Sequence, residues 1–277
     1  MMYIYLLLSV IADAAITVGC GLVVSPADIW KPLLIFPALF IGFILFHLLV
    51  FILLSLTINR KKEVKNVDNF YTRFMLISLA LYFELARVRI HVSGEDKLPQ
   101  DGRYLFVSNH ISIYDPMITM LKFAKEKLRF VSKKENLSIP FAGAYIARSG
   151  CIGIDRENNR SAVRSINEAV RTITDGICPV GIYPEGRVNT AGVGLLEFRN
   201  GAFKIATKSK VPVAVAVIRN TREINKNILR RSTDIYLDVV DIIPYSAIEG
   251  MKTVEIGSVV RTIMEEALKN NMTEVKK

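Results

Sequence analysis

The sequence predicts an α/β domain, with a mostly parallel or mixed central sheet flanked by helices, behind an N-terminal two-helix membrane anchor. Two observations predict it. From residue 88 onward, short β-branched runs alternate with segments of helical period, the pattern of a sheet covered by helices on both faces. Before residue 59 the only charges are Asp13, Asp28 and Lys31, a net of −1, so the +10 of the 277-residue chain leaves +11 on the remainder. The 51% hydrophobic content lies above the globular norm of about 45–50%, and the surplus is concentrated at the uncharged end.

The first apolar stretch, Met1 to Val24, is long enough to span a bilayer but carries Asp13 near its middle, at a cost of about 2.5–3.5 kcal/mol on insertion scales. It reads as an uncleaved span or as a secretory signal. The absence of a basic leading segment and of a well-placed small-x-small cleavage site favours the span. Pro32 to Ile58 is free of charge over more than the roughly 30 Å hydrocarbon core, and so reads as a transmembrane helix. Trp30, between the two, suits an interfacial anchor. N-R-K-K-E-V-K, residues 59–65, follows the second span, so the positive-inside rule places residue 59 onward on the cytoplasmic side of the cell membrane. Tyr71 to Arg89 mixes apolar runs with Arg73, Glu84, Arg87 and Arg89, which fits an interfacial helix or a core helix equally. The expected division is residues 1–60 as anchor, 61–90 as basic linker and interfacial helix, and 91–277 as a cytoplasmic domain.

Strands are expected at 88–92, 104–108, 128–132, 151–155, 180–183, 212–218 and 235–240. Between them, Val163, Ile166, Val170 and Ile173 repeat at the spacing of one buried helical face across residues 161–175. Residues 198–210 and 254–268 behave alike, and the tail after Asn270 is polar. Sites in such folds lie beyond the carboxyl ends of the strands.

Three stretches fall there. In V-S-N-H-I-S-I-Y-D-P, residues 107–116, His110 follows a strand and Asp115 precedes a proline. Asp115-Pro116 reads as a helix start, with Asp as N-cap and Pro at the first helical position. The same carboxylate can accept one imidazole N–H and leave the other ring nitrogen free as a base. No G-x-S-x-G elbow surrounds Ser108 or Ser112, which argues against an acyl-enzyme and for activation of a substrate hydroxyl or water. In G-I-Y-P-E-G-R, residues 181–187, Gly186 permits close backbone approach and Glu185 can hydrogen-bond a hydroxyl, unless the segment is an ordinary turn. G-C-I-G-I-D-R, residues 150–156, ends on Arg156, a residue type suited to phosphate.

Together and in this order these motifs resemble the 1-acylglycerol-3-phosphate acyltransferase family (lysophosphatidic acid acyltransferases, membrane glycerolipid acyltransferases). Its N-H-x4-D motif matches Asn109-His110 with Asp115, and its Asp-Arg strand end matches the segment closing on Arg156. Its F-P-E-G-T-R-S motif matches Tyr183-Pro184-Glu185-Gly186, and its Val-Pro-rich strand matches Val211-Pro212-Val213. The likeness covers residues 85–220, with two departures: Thr-Arg-Ser is replaced by Arg187-Val188-Asn189, and the second proline after Val211-Pro212 is missing.

The resemblance implies a membrane-bound O-acyltransferase of phospholipid synthesis. His110, oriented by Asp115, would deprotonate the glycerol hydroxyl of lysophosphatidate, which attacks an acyl thioester and gives phosphatidate. Lys133, Arg156 and Arg187 would hold the acceptor phosphate, with Asn109, Glu185 and Gly186 completing the substrate-binding set. Backbone N–H groups near the helix start would supply the oxyanion donors. Acyl-CoA or acyl-carrier protein serves as co-substrate, and no cofactor or metal is expected. The altered Arg187-Val188-Asn189 keeps another lysophospholipid, glycerol phosphate or a glycolipid open as acceptor. A catalytically silent lipid-binding protein is the non-enzymatic alternative, though a binder has no need of a base.

The basic domain suits anionic membrane phospholipid or an acidic carrier protein. Nucleic acid is not expected as a partner, because no helix-turn-helix or aromatic-basic platform accompanies the charge. Cys20, Cys151 and Cys178 lack C-x-x-C spacing, so neither a disulfide nor a zinc site is expected. His47, inside the second span, reads as a helix-packing contact, and His91 as a strand residue with no carboxylate nearby.

Overall fold

The computed structural model describes residues 1–60, 62, 64, 66–155, 157–191, 194–228 and 230–274, with side chains described as far as residue 269. All seven expected strands form one sheet: β1 (Val88–Ser93), β2 (Leu105–Ser108), β3 (Arg129–Lys133), β4 (Ile152–Ile154), β5 (Val180–Ile182), β6 (Val213–Arg219) and β7 (Thr233–Ile243). The order across it is β1-β7-β6-β2-β5-β3-β4. Strands β6, β2, β5, β3 and β4 run parallel, β7 pairs antiparallel with β6, and β1 follows β7. The sheet is therefore mixed, with the reversed pair at one edge.

The helices are α1 (Met2–Gly19), α2 (Trp30–Thr57), α3 (Phe70–Leu85), α4 (Tyr114–Lys122), α5 (Ala142–Arg148), α6 (Asn159–Thr174), α7 (Lys204–Ser209), α8 (Glu223–Asn227), α9 (Tyr245–Ile248) and α10 (Thr253–Glu274). The helix expected over 198–210 splits into a 3₁₀ turn, Asn200–Phe203, and α7. Strand β6 shows why the sheet is covered twice. Val213, Val215 and Val217 join the core beneath α6, α7 and α10, while Ala214, Ala216 and Ile218 join the core beneath α3 and α4. Period-two alternation with both faces buried reads in sequence as one continuous apolar run.

Both α1 and α2 are long and apolar enough to cross a membrane. At 1.5 Å per residue the 18 residues of α1 extend about 27 Å and the 28 of α2 about 42 Å, so α2 overreaches its neighbour. The first helix ends at Gly19, short of the expected Val24. The overreaching end of α2 is occupied by protein. Helix α3 runs antiparallel along it, pairing Thr57 with Tyr71 through their hydroxyls at 3.0 Å, Phe51 with Phe74 by stacking, and His47 with Ser78 at 2.9 Å. The Tyr145 hydroxyl on α5 donates to the Phe51 carbonyl at 2.8 Å, with the two rings 4.2 Å apart. His47 also meets the Tyr5 hydroxyl at 2.7 Å, so it joins α1, α2 and α3.

One glycine carries the aromatic order of the sheet. Gly181 stands opposite Phe106 on β2 and Phe130 on β3, and a Cβ there would lie 2.6 Å from the Phe130 ring. Gly181→Ala overpacks this contact, a change that costs about 1–3 kcal/mol. The expected outcome is a lower thermal-unfolding midpoint for the detergent-solubilised protein, partly restored when Phe130→Leu is added.

Candidate active site

Five parallel strands present their carboxyl ends at one edge, and the expected site residues gather there. Strand β2 stops at Ser108 and hands over to Asn109 and His110, between the ends of β5 and β6. The His110 Nδ1 meets Asp115 Oδ2 at 2.8 Å. A carboxylate can only accept, so Nδ1 carries the proton and Nε2 is left with its lone pair. Nε2 makes no protein hydrogen bond among the described residues, and His110 lines the main cavity. The ring lies flat on Tyr183, centroids 4.3 Å apart, which in turn stacks on Phe130 at 5.4 Å. Burial pushes the Tyr183 phenol well above its usual range.

Asp115 is fully buried and accepts from four donors. Oδ2 takes the His110 ring and the N–H groups of Ile111 and Ser112 at 2.7 and 2.8 Å, and Oδ1 takes the Thr221 hydroxyl at 2.5 Å. The expectation that Asp115 is the N-cap is corrected: α4 begins one residue earlier, at Tyr114 after Ile113, and Asp115 sits in the first turn. Its carboxylate turns back onto the preceding loop instead of capping the helix. In the loop before α4 the Ile111 and Ser112 N–H groups are bound to Asp115 and that of His110 is bound to Glu185.

Two expected ligand contacts are reassigned to the frame. The Asn109 side chain is buried and pairs with both backbone groups of Ile218, accepting at 2.7 Å and donating at 2.9 Å. Glu185 is likewise buried, its oxygens accepting from His110 N–H at 2.7 Å and Leu196 N–H at 2.8 Å. Burial pushes the Glu185 carboxyl up, and the two N–H groups oppose that rise. Both residues hold the loops that shape the site rather than offering a polar group to it. Gly186 has φ +72°, a left-handed conformation, and a Cβ there would strike the Arg199 side chain at 2.8 Å.

Lys133, at the end of β3, and Arg187 are exposed, and both line the same cavity as His110 and Gly186. Lys133 also faces Glu135 at 3.7 Å. Arg156 lies outside the described residues. The cavity measures about 1580 Å³, beyond the roughly 300–1,000 Å³ of a small-molecule pocket. One arm is apolar, formed by Ile44, Leu48 and Phe51 of α2 with Leu79, Met117 and Tyr145. The other arm is basic.

Thr221 and Arg222 were not singled out from the sequence. Arg222 Nε donates to the Ile111 carbonyl at 3.1 Å and a second guanidinium N–H donates to the Asn189 carbonyl, binding the His110 loop to the turn after Gly186. The available signal was position alone, just past the end of a parallel strand. His91 is corrected as well: it meets Asp234 Oδ1 at 2.9 Å, which Arg89 also engages, because β1 and β7 pair in register. That cluster stands on β1 and β7, whereas the His110 site stands at the ends of β2, β5 and β6.

A model of the family described as Acyltransferase matches residues 89–219. The 1-acyl-sn-glycerol-3-phosphate acyltransferase of Escherichia coli is 30% identical over 168 residues, covering 60% of this chain and 67% of that one. This chain belongs to the 1-acylglycerol-3-phosphate acyltransferase family. The enzyme of the same name from Haemophilus influenzae is 29% identical, covering 66% of this chain and 77% of its own, and the mouse alpha form is 27% identical, covering 74% and 70%. The crystal structure of the 1-acyl-sn-glycerophosphate (LPA) acyltransferase PlsC from Thermotoga maritima superposes with TM-score 0.58 at 22% identity, covering 73% of this chain and 81% of that chain. That likeness establishes the shared fold, and the sequence relatives establish the family.

Thr221→Val keeps the shape of this family member's site but leaves Asp115 Oδ1 buried without a donor, a loss of about 1–3 kcal/mol. The expected result is a lower thermal-unfolding midpoint for Thr221→Val, with Thr221→Ser, which keeps the hydroxyl, close to the parent.

Proposed function

We propose that this chain transfers a fatty acyl group from an acyl thioester to the free glycerol hydroxyl of lysophosphatidate, forming phosphatidate, with its catalytic domain on the cytoplasmic side of the membrane. The observation that carries this reading is the His110–Asp115 pair in a cavity that is apolar towards α2 and α3 and cationic at the other end. The relatives named for the same activity support the choice of acceptor.

In this reading His110 Nε2 takes the hydroxyl proton as the glycerol oxygen adds to the thioester carbonyl. Asp115 stabilises the imidazolium that forms and holds its tautomer. Collapse of the tetrahedral adduct breaks the C–S bond, and the departing thiolate takes the proton back from His110, so no acyl-enzyme is required. With the His110, Ile111 and Ser112 amides committed, the developing oxyanion draws on cationic side chains at the cavity wall, of which Arg187 follows Gly186 directly. Lys133 and Arg187 hold the acceptor phosphate, and the apolar arm takes hydrocarbon chain. Residues 1–60 act as the anchor, and the basic segment after α2, of which residues 61, 63 and 65 lie outside the described residues, sets the orientation.

His110→Ala is expected to lower acyl transfer in membranes by about 10²–10⁴, the usual contribution of a positioned general base. Retention of activity within about tenfold of the parent would overturn this assignment. Mass spectrometry of the lipids of a host lacking its own enzyme, with and without this chain, reads the acceptor directly; restored phosphatidate is the expected outcome.

A further inference from the structure

Two neighbouring residues at the start of α4 reach across to the segment that follows β6. Asp115 Oδ1 accepts from the Thr221 hydroxyl at 2.5 Å, and the hydroxyl of Tyr114 donates to Asn225 Oδ1 at 2.6 Å. Thr221 stands just before α8 and Asn225 lies within it, so the second bond is a strut beside the first. With its own proton spent on Asn225, the Tyr114 oxygen accepts from the Tyr82 hydroxyl at 2.8 Å. Tyr82 belongs to α3, stacks its ring on Tyr114 at 5.9 Å, and lines the cavity together with His110 and Ile113. A chain of hydroxyls therefore runs from the apolar arm through α4 to α8. Elsewhere α8 is held by buried Ile224 and, at its far end, by the bond from Asn227 to the Thr233 hydroxyl at 3.0 Å. Apolar burial is non-directional, so the angle at which α8 meets α4 is left to the hydrogen bonds.

We propose that Tyr114 and Asn225 are positioning residues for the base: their bond keeps Thr221 on Asp115, Asp115 keeps the His110 proton on Nδ1, and Tyr82 ties the strut to the wall of the apolar arm. The inference rests on the acyl-transfer reading for the role of His110. Neither Tyr114 nor Asn225 lines the cavity, so their influence reaches a substrate only through the pair they support. Without the strut, α8 can shift against α4 and draw the Thr221 hydroxyl away from Oδ1. The carboxylate is then free to turn, and the imidazole loses the fixed partner that selects its tautomer. The form protonated on Nε2 gains population, and in that form the nitrogen that must take the glycerol proton already carries one.

The test uses the full-length protein in detergent or nanodiscs. Tyr114→Phe removes the central hydroxyl with little change in volume. Asn225→Leu removes the acceptor at an exposed residue, which spares the fold, and Asn225→Asp keeps an acceptor oxygen there. The expected result is a kcat about tenfold lower or more in Tyr114→Phe and Asn225→Leu, with KM for both substrates within about twofold of the parent and Asn225→Asp close to the parent throughout. Nitrogen-15 spectra of the histidine rings, with His110 assigned by its loss in His110→Ala, read the tautomer without turnover. The Nε2-protonated form of His110 is expected to grow in Tyr114→Phe and Asn225→Leu and not in Asn225→Asp. A strut with a purely structural role would lower the unfolding midpoint and leave the spectrum and the kcat of the folded protein unchanged, which overturns the proposal. A fall in kcat with an unchanged tautomer, or a rise in KM alone, overturns it too. If the parent transfers no acyl group from any thioester while the variants still shift the tautomer, the acyl-transfer reading fails and the strut stands.

Discussion

A carboxylate with no access to solvent must find its hydrogen bonds inside the protein, and the arrangement around Asp115 follows from that requirement. Its four donors come from two places in the chain: His110, Ile111 and Ser112 lie in the loop after β2, and Thr221 lies after β6. Satisfying one buried charge therefore fixes how two parallel strands end. The fixing propagates, because Asn109 pairs with the backbone of Ile218 and Arg222 bridges the carbonyls of Ile111 and Asn189. Glu185 closes the frame from the β5 side by accepting from His110 and Leu196. The imidazole is held by its Nδ1–H bond to Asp115 on one edge and by the Tyr183 ring on one face, so its free nitrogen has little choice of direction.

This frame stands where two kinds of surface meet. Towards β3, β5 and α7 the cavity wall is cationic, while towards α2 and α3 it is almost wholly hydrocarbon. A reaction between amphiphiles suits such a border, since each substrate brings both a charged end and an apolar end to the site. A sheet edge supplies such a border naturally. The strand ends expose loops that can carry charge, and the helix packed over one face supplies the apolar wall.

Much of the fold was readable because strand and helix patterns are local. The seven strands announce themselves as β-branched runs, and His110 and Asp115 are close enough in sequence for their pairing to be proposed from spacing. What could not be read depends on contacts between distant segments. Asn109 and Glu185 are polar residues inside recognisable motifs, and they look like ligand contacts until their partners, the backbones of Ile218 and Leu196, are known. The partnership of His91 with Asp234 depends on the register of β1 against β7, 143 residues apart. Asp115 misled for a different reason. Asp-Pro at the start of a helix is a common capping signal, but the demand of a buried carboxylate for several donors outweighs the about 1 kcal/mol that a cap provides.

The expected division into anchor, linker and domain suggests parts that could be separated, and the packing argues otherwise. The lower half of α2 is a wall of the cavity: Ile44, His47, Leu48 and Phe51 face it, and Tyr145 of α5 bonds to the Phe51 carbonyl. Helix α3 is bound on both sides, to α2 through Ser78 and Tyr71 and to the sheet core through Phe83. Removing the first 60 residues would open the apolar arm along its length and expose Phe74, Met75 and Tyr145, which pack with Phe51 and Ile58. The first 60 residues thus pack as part of the cavity wall, so their apolar helices and the sheet domain share one surface.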